Sequence, residues 1–470
     1  MASKSRFHVM IDALHPEVTG SCITVRVHYP DGSSNTFLVD CGIFNEKDLI
    51  CNNLSFPFDE RKIDFVLVTH NHVDHNGRLP LLFKGGFKGK IYTSEVNNSL
   101  MPTAIRDNEK VMKLQCKHHN SKFLYSDINT RDTLDSLVGC PYYKTICFSE
   151  NIIITFFPNG HLLGAALILV RITYPGYESI NLLFTGDYND KNVLFNVKEL
   201  PEWVHELPLT VVMESTYGKI NSDAIKPCFS ENVAKALNNN LTVICPVFSQ
   251  GRAQDVLYHL KKMQSQSIID RNIPIYLDGN LAIKYTEKYK ISSALSVRNF
   301  IPDNFSYVDD DLREKLIEDN NVKIILASSG MGSFGPANQY LNEYIGRKNT
   351  LIHFTGYCAK GTAGRDIKDS RNGEMVKFSG RFIKKRANIE FTKEFSAHAK
   401  ADELINFLQK FKSLKLVLLN HGTEESKNVL AVKVLEETCA KNVGILGDEY
   451  AFRVNAWGYD KSFPTCRKSF

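Results

Sequence analysis

The feature that most constrains the fold is a run of metal-binding residue types directly after an apolar stretch. Three histidines and one aspartate fall within six positions: His70, His72, Asp74 and His75. Residues 63–69 before them predict a buried strand. In the extended loop that follows, alternate residues point the same way, so His70 and His72 can bind one metal ion. Asp74 and His75, at the start of a predicted helix, can then bind a second. Because clustered imidazoles are costly to bury without metal, the fold must bring other ligands to this loop.

Three more predicted strands end in polar, glycine-containing turns that carry a ligand type. The strands cover residues 152–157, 181–184 and 415–419, and the side chains that follow them are His161, Asp187 and His421. Each of these alone could be only a turn residue. Together with the histidine-rich loop, they would supply two metal ions with imidazole and carboxylate ligands.

The chain is too long for one ordinary core, since it has 470 residues. Residues 1–208 read as short strands with turns, interrupted by a polar helical stretch over 95–135. From about residue 211 the pattern changes to strand, glycine-marked turn and helix, which predicts a parallel sheet with flanking helices. Strands return near residue 385. We therefore predict a first domain in two parts, 1–208 and 381–470, interrupted by an α/β insert over 209–380.

The composition is that of an ordinary globular protein, with 43% hydrophobic and 23% charged residues. The net charge of +5 excludes an acidic solvating chain and does not by itself prove a nucleic-acid partner. Its distribution is uneven. Residues 347–386 contain 11 Lys or Arg and 3 Asp or Glu, a net charge of +8, which leaves −3 for the rest. This favours a polyanion that contacts the insert, and an RNA strand entering between the two domains is the economical hypothesis.

The cysteines and the N-terminus bear on location. Eleven scattered cysteines without a C-x-x-C pair are typical of reduced thiols rather than of a disulfide framework. The first residues lack a secretory signal, and no run approaches the roughly 20 apolar residues of a membrane span. We expect a cytoplasmic protein with no membrane contact. A homodimer is compatible with the sequence, which leaves the oligomeric state open.

The sequence resembles the metallo-β-lactamase superfamily. Residues 70–75 match the H-x-H-x-D-H signature of that superfamily without a gap. More narrowly it resembles the β-CASP branch of RNA-processing nucleases, of the bacterial and archaeal type without an added RNA-binding domain. Further matches, in order along the chain, are Asp40 in LVDCG, His161, Asp187, Glu214 in MESTYG, His398 in FSAH and His421 in NHG. The resemblance implies an αββα sandwich with an inserted α/β domain.

The resemblance also implies roles for these residues. His70, His72 and His161 would hold one metal ion, Asp74, His75 and His421 the other, and Asp187 would bridge the two. The implied catalytic residues are Asp40, Asp74, Glu214 and His398, with Asp40 orienting ligands rather than binding metal. His398 would protonate the leaving 3′-oxygen, and Glu214 would orient it or tune its pKa. An imidazole-rich set favours two Zn²⁺ ions per chain, although Mn²⁺ could occupy such a site.

Candidate substrate contacts lie in glycine-rich turns of the insert, whose backbone N–H groups could cradle a phosphate. They are Arg252, Ser329, Gly330, Gly361, Thr362 and Arg365. Without the resemblance, ordinary turns would be the better interpretation. The basic run 384–386 could face RNA, yet such a run is more often a solvated surface.

Two positions depart from the family pattern. Lys400 stands where relatives usually have an acidic residue, two positions after His398, and Asp402 follows it. If that carboxylate normally supports the histidine, its tautomer and pKa are less certain in this chain. Residues 279–282 read GNLA where relatives tend to have Ser-Pro before the apolar pair. Neither departure removes a metal ligand.

The leading hypothesis is a metal-dependent ribonuclease that hydrolyses phosphodiester bonds of single-stranded RNA, as an endonuclease, a 5′-exonuclease or both. A β-CASP DNA nuclease is a rival, although that branch generally has valine where this chain has His421. A second rival is a non-catalytic subunit of an RNA-processing assembly, which the complete ligand set disfavours. A small-molecule hydrolase such as a thioesterase is the third, and Glu214 with His398 argues against it.

Overall fold

The computed structural model describes residues 7–15, 17–44, 53–118, 122–378, 380–447 and 450–464. The chain forms two compact units. The first comprises the residues up to 191, then 197–222 and 398 onward, and the second comprises 192–196 and 223–397. The boundaries 209–380 of the predicted insert remain a prediction.

The N-terminal half of the described chain alternates short strands with a few helices. The strands are β1 (His8–Ala13), β2 (Ile23–His28), β3 (Ser34–Val39), β4 (Phe65–Leu67), β5 (Lys90–Ser94), β6 (Leu137–Cys140), β7 (Thr145–Cys147), β8 (Ile152–Pro158), β9 (Ala166–Ile172), β10 (Ile180–Phe184) and β11 (Leu209–Glu214). The helices are α1 (Val73–Asn76), α2 (Leu79–Lys84), α3 (Glu95–His118), α4 (Asp127–Asp135) and α5 (Glu202–His205), with a 3₁₀ turn at Glu60–Lys62.

The middle of the chain begins with a 3₁₀ turn at Ser222–Ala224 and then alternates helix and strand. Its elements are α6 (Phe229–Asn238), β12 (Thr242–Pro246), α7 (Arg252–Ser265), β13 (Ile275–Asp278), α8 (Asn280–Ile291), β14 (Phe305–Val308), α9 (Asp310–Glu318), β15 (Ile324–Ala327), α10 (Gly335–Tyr344), β16 (Thr350–Phe354), α11 (Ala363–Asp369), β17 (Met375–Phe378), β18 (Arg381–Lys384) and β19 (Asn388–Phe391). The chain closes with α12 (Ala401–Gln409), β20 (Leu414–Asn420), α13 (Glu424–Glu437), β21 (Val443–Ile445), β22 (Tyr450–Asn455) and β23 (Gly458–Pro464).

Two sheets form the first unit. In the described residues one sheet has the order β23-β22-β1-β2-β3-β4-β5-β6 and the other the order β21-β20-β11-β10-β9-β8-β7. A shared apolar core, with Val25, Phe156 and Leu182 among its members, fills the space between them. Helices cover the outer faces: α2 and α3 contribute to a second core with strands β3 to β5, and α12 and α13 to a third with β10, β11 and β20. This is the predicted αββα sandwich.

Strand β10 illustrates why the sequence folds this way. All five of its residues are buried, since the core lies on one side and the α12–α13 layer on the other. A strand covered on both faces reads as a continuous apolar run. It pairs in parallel with β11, which pairs in parallel with β20. The carboxyl ends of three parallel strands therefore meet at one edge of the sheet, where Glu214 ends β11 and the loops after β10 and β20 carry Asp187 and His421.

The second unit contains the predicted parallel sheet with flanking helices. Its strand order is β14-β13-β15-β12-β16-β19, and every adjacent pair is parallel. The apolar faces of α10 and α11 pack on strands β12, β15 and β16. Strands β17 and β18 form a separate antiparallel hairpin. Among the described residues, no helix is both long enough and apolar enough to cross a membrane.

Candidate metal centre

The histidine-rich loop lies where the sequence predicts it, between β4 and α1. His70 is fully buried, and the side chain of Thr69 lies 3.1 Å from its Nδ1. His72 ends the loop as the N-cap residue of α1. Asp74 and His75 then lie in the helix itself.

Asp187 lies at the centre of the predicted ligands, and its two oxygens face different partners. Its Oδ2 is 3.4 Å from His70 Nε2 and 3.5 Å from His161 Nε2. Its Oδ1 is 3.3 Å from His75 Nε2 and 3.3 Å from His421 Nδ1. Such a carboxylate can coordinate one metal ion with each oxygen, which is the geometry that a bridging ligand needs.

The remaining ligands complete two groups around that carboxylate. His161 Nε2 lies 3.3 Å from His72 Nδ1, and His75 Nε2 lies 3.3 Å from His421 Nε2. Asp74 Oδ2 is 3.9 Å from His421 Nε2. The ligand atoms of each group lie within 4.8 Å of one another; one group is His70, His72, His161 and Asp187, and the other is Asp74, His75 and His421.

The chemistry of this donor set fits a pair of metal ions. His70 Nε2 and Asp187 Oδ1 are buried without a hydrogen-bond partner among the described residues, which is costly unless a cation satisfies them. Burial lowers the pKa of His70 well below its usual value and that of His72 to about 4. Both rings are therefore neutral at physiological pH, the form that coordinates metal. Ring nitrogens and carboxylates are ligand types that zinc binds in proteins.

Asp40 lies behind the ligands rather than among them. Its Oδ2 is 2.7 Å from His75 Nδ1, and its Oδ1 accepts a hydrogen bond of 2.8 Å from the Thr69 backbone N–H. The residue adopts φ = 63°, a conformation that non-glycine residues seldom take. Such strain persists where surrounding contacts fix it. The carboxylate thus fixes the ring of His75 with its Nε2 turned toward Asp187.

Beside the predicted ligands, the buried Glu214 pairs with His398, whose side chain is 20% exposed. The Glu214 Oε2 is 2.8 Å from His398 Nδ1, and the Glu214 Oε1 accepts a 2.5 Å hydrogen bond from the Tyr188 backbone N–H. The other ring nitrogen of His398 is 3.8 Å from Asp187 Oδ2. Burial lowers the pKa of His398, but the Glu214 and Asp187 carboxylates outweigh it and raise the pKa to about 9. The pair can therefore present a proton on Nε2 toward the metal centre.

The departure at Lys400 has a structural explanation. Its ammonium donates to the backbone carbonyl of His398 at 2.7 Å and lies 5.3 Å from the centre of the Tyr217 ring. Asp402 is engaged elsewhere, since it accepts from the Ser222 backbone N–H at 2.8 Å. Because Glu214 already fixes His398 Nδ1, the ring does not need a carboxylate at position 400.

The predicted substrate contacts gather at the carboxyl ends of strands β12, β15 and β16 of the second unit. The Phe248 ring lies against both Gly330 and Gly356, so loops that follow all three strands meet there. Arg252 begins α7 and donates to the Thr355 carbonyl. In open parallel sheets, ligands bind at this edge.

The other predicted contacts lie in the same loops. Thr362 is the N-cap residue of α11, and its hydroxyl accepts from the Arg365 N–H at 3.4 Å. Arg365 pairs with Asp369 at 2.7 Å on an exposed turn of the same helix. Ser329 and Gly330 begin the loop after β15. The binding roles of these residues remain predictions.

Sequence reasoning missed three side chains of this arrangement. The hydroxyl of Thr216, in the MESTYG segment, lies 3.1 Å from His421 Nδ1. Two aromatic rings stand in the loops after β15 and β16, where Phe334 is 72% exposed and Tyr357 is 63% exposed. Exposed aromatic residues next to glycine-rich turns are the signal that could have identified them, because aromatic rings stack on nucleic-acid bases.

Three family models match successive parts of the chain. Residues 16–140 match the family described as the metallo-β-lactamase superfamily, and residues 253–367 match the β-CASP domain. Residues 383–445 match a family described as a Zn-dependent metallo-hydrolase RNA specificity domain. The three matches follow one another along the chain in the order that the motifs predict.

Curated relatives cover most of the chain. It is 29% identical to transcription termination factor FttA of Methanosarcina mazei over 453 residues, 90% of this chain and 68% of that protein. It is 28% identical to ribonuclease TTHA0252 of Thermus thermophilus, across 87% of this chain and 91% of the ribonuclease. It is 28% identical to RNase aCSPSF2 of Saccharolobus solfataricus, across 88% and 79%. The chain spans about two thirds of the FttA proteins and most of the two ribonucleases.

Proposed function

This chain belongs to the β-CASP branch of the metallo-β-lactamase superfamily, and we propose that it is a metal-dependent ribonuclease that hydrolyses phosphodiester bonds of single-stranded RNA. The observation that carries the proposal is Asp187, whose two oxygens each face a separate pair of imidazole nitrogens within 3.5 Å. Relatives named as ribonucleases supply the class of polymer.

The proposed metal pair is two Zn²⁺ ions, with Mn²⁺ as a substitute in vitro. One ion would be held by His70, His72 and His161. The other would be held by Asp74, His75 and His421, and Asp187 would contact both ions. When bound, two such ions lower the pKa of water toward neutrality and neutralise charge on the phosphate oxygens. The rest of the mechanism belongs to side chains of the protein.

His398 supplies the proton that the leaving group needs. A 3′-oxygen expelled as an alkoxide is a poor leaving group, so a nearby acid accelerates the break of its bond to phosphorus. The Nε2–H of protonated His398 passes its proton to that oxygen, and the ring becomes neutral. Glu214 keeps the other proton on Nδ1, so a single tautomer faces the substrate. Asp40 likewise contacts Nδ1 of His75 and so fixes the orientation of that ring.

The complete ligand set disfavours a non-catalytic subunit, because such a protein has no need to keep seven ligand side chains in two convergent groups. Substrate contacts in the second unit would come from Arg252, Ser329 and Thr362, with Phe334 and Tyr357 as surfaces for bases. The cytoplasmic location and a homodimer stay predictions from the sequence, and the proposal covers both internal and 5′-terminal cleavage.

The test compares single-stranded RNA and DNA of the same sequence in one assay. We expect cleavage of RNA that leaves a 5′-phosphate and is lost after chelation. His72→Ala removes a ligand. It should abolish cleavage and lower the amount of bound metal. Preferential cleavage of DNA would contradict the proposed substrate and favour the DNA-nuclease alternative. Full activity of the His72 variant would contradict the metal site.

A further inference from the structure

The hairpin formed by β17 and β18 presents two chemically different faces. In its register Met375 pairs with Lys384, Val376 with Ile383, and Lys377 with Phe382. Directly opposed residues of an antiparallel pair lie on the same face, and successive residues alternate. Val376 and Ile383 belong to one face and pack on the core of the second unit.

The other face carries two apolar side chains and two lysines, which we call the hairpin face: Met375, Lys377, Phe382 and Lys384. All four are exposed; Met375 exposes 56% of its surface and Phe382 exposes 65%. A ring and a thioether held in solvent are unfavourable unless something covers them. Each pairs across the strands with a lysine, so apolar surface and positive charge alternate over the face.

The lysines of the hairpin face have no carboxylate partner among the residues that the structure describes. Within the described ranges, neither Lys377 nor Lys384 forms an ion pair with a carboxylate. The neighbouring Lys385 differs, because it is buried and its ammonium donates to the carbonyls of Ile367, at 3.0 Å, and Ser370 at the end of α11. The basic run 384–386 therefore has two roles: Lys385 caps a helix, and Lys384 points outward.

We propose that the hairpin face binds single-stranded RNA, as a contact separate from the metal centre. This proposal rests on the proposed function for its choice of polymer. Proteins that bind single strands combine cations for the phosphates with aromatic rings on which bases stack. Diagonal neighbours on such a face are about 7–8 Å apart. Lys377 lies directly opposite Phe382, and Lys384 lies two residues further along the strand of Phe382, so the two lysines are diagonal neighbours on this face. A base stacked on the Phe382 ring would therefore have an ammonium near it both across the strands and along the strand, where its phosphates can bind.

A protein partner fits the hairpin face less well. Stable protein interfaces bury about 800 Å² on each partner, and lysine is depleted in their centres. Here two lysines alternate with only two apolar side chains on a two-stranded ribbon. The surrounding segment, residues 347–386, has a net charge of +8, which complements a polyanion.

The test measures RNA binding in the full chain carrying His398→Ala, so that bound RNA is not cleaved. The probe is a fluorescein-labelled oligouridylate of about 20 nucleotides, long enough to reach more than one contact, followed by fluorescence anisotropy at several salt concentrations. Two variants are compared in that background: Phe382→Ala and the double variant Lys377→Ala, Lys384→Ala. The controls are Phe123→Ala, another exposed ring, and the double variant Lys62→Ala, Lys88→Ala, which removes the same charge elsewhere.

Each variant should leave a distinct signature. Loss of the ring should weaken binding at least about five-fold with an unchanged salt slope, since stacking is not electrostatic. Loss of both lysines should weaken it about three- to ten-fold and reduce the slope of log affinity against log salt by about 1.4, at about 0.7 for each phosphate contact. The control variants should bind as the parent does.

Equal affinities for parent and hairpin variants would overturn the proposal. A change in oligomeric state of the hairpin variants, with RNA binding unaltered, would overturn it in favour of a protein interface. These outcomes are distinguishable from failure of the proposed function, because anisotropy reports binding without cleavage. If the chain is an active ribonuclease and the hairpin variants bind RNA with unchanged affinity, only the proposed RNA contact of the hairpin face is refuted. Circular dichroism checks that the hairpin variants are folded. We expect them to fold because all four substituted or neighbouring side chains of the hairpin face are exposed.

Discussion

Glu214→Gln changes a single charge in the pair that would deliver the proton. The Tyr188 N–H donates to Glu214 Oε1, so the amide oxygen of glutamine must take that place. Its NH₂ group then faces His398 Nδ1, now 2.8 Å from a carboxylate oxygen. Two donors cannot share one hydrogen bond. His398 must therefore accept at Nδ1, and the imidazolium form is disfavoured.

The magnitude follows from the protonation of His398. With a pKa of about 9 the ring is about 90% protonated at pH 8, whereas with a pKa near 6.5 it is about 3% protonated. That alone predicts a loss of about 30-fold in kcat, and complete loss of general-acid catalysis costs about 10²–10⁴-fold. Because its pKa is raised, His398 stays protonated at pH values below that pKa and loses its proton as the pH rises through it. The alkaline limb of the rate profile should therefore move to lower pH in Glu214→Gln. Bound cations lower the pKa in both proteins, so the comparison between them carries the test.

The assay uses two RNA substrates that differ at one atom. In the second, sulfur replaces the bridging 3′-oxygen, and a thiolate leaves without a proton. Glu214→Gln should cleave the oxygen substrate at least about 30-fold more slowly and the sulfur substrate at nearly the rate of the parent. Metal content should be unchanged. Glu394→Gln is the matched control, since Glu394 also accepts backbone N–H groups, from Cys228 and Phe229, and contacts no histidine in the described residues. Equal losses on both substrates would refute the role of a proton donor.

Three other perturbations test separate parts of the molecule. Asp187→Ala should lose cleavage and most of the bound metal together, measured by elemental analysis; retained activity would contradict the bridging role. Lys400→Met should lower kcat more than it changes KM, because the ammonium holds the His398 carbonyl at 2.7 Å, and unchanged kinetics would show that this contact is dispensable. Burial raises the pKa of Asp255 from 3.8 to about 7, so its contribution to stability is fully present below pH 3.8 and is lost as pH rises through 7. Asp255→Asn should therefore raise the melting temperature at pH 8 relative to the parent, by at most the equivalent of about 4 kcal/mol, with no gain at pH 4.

The parallel sheet was predictable from the alternation of strand, glycine-marked turn and helix along the chain, whereas the αββα sandwich was implied by the resemblance to the metallo-β-lactamase superfamily. The four apolar residues among the five of β10 and the alternation of β1 indicate how each strand is covered. Ligand types placed directly after strands were predictable for the same reason, since parallel strands bring their carboxyl ends to one edge. His161, Asp187 and His421 could be chosen without knowledge of the fold.

Long-range pairings were not accessible in this way. Which oxygen of Asp187 faces which histidine depends on the packing of four loops. The explanation of Lys400 depends on the position of Tyr217, nearly two hundred residues earlier in the chain. The exposed rings of Phe334 and Tyr357 were overlooked because an aromatic residue in a sequence more often indicates core.

The central claim is a pair of metal ions that makes this chain a ribonuclease, and one titration tests it most directly. Chelated protein is supplied with increasing Zn²⁺, or Mn²⁺ in parallel, while the initial rate of RNA cleavage is measured. We expect no cleavage without metal and a rise in rate that reaches its plateau at two equivalents of metal per chain. Cleavage that persists after chelation would contradict the metal pair. So would an Asp187→Ala variant that reaches the same plateau as the parent.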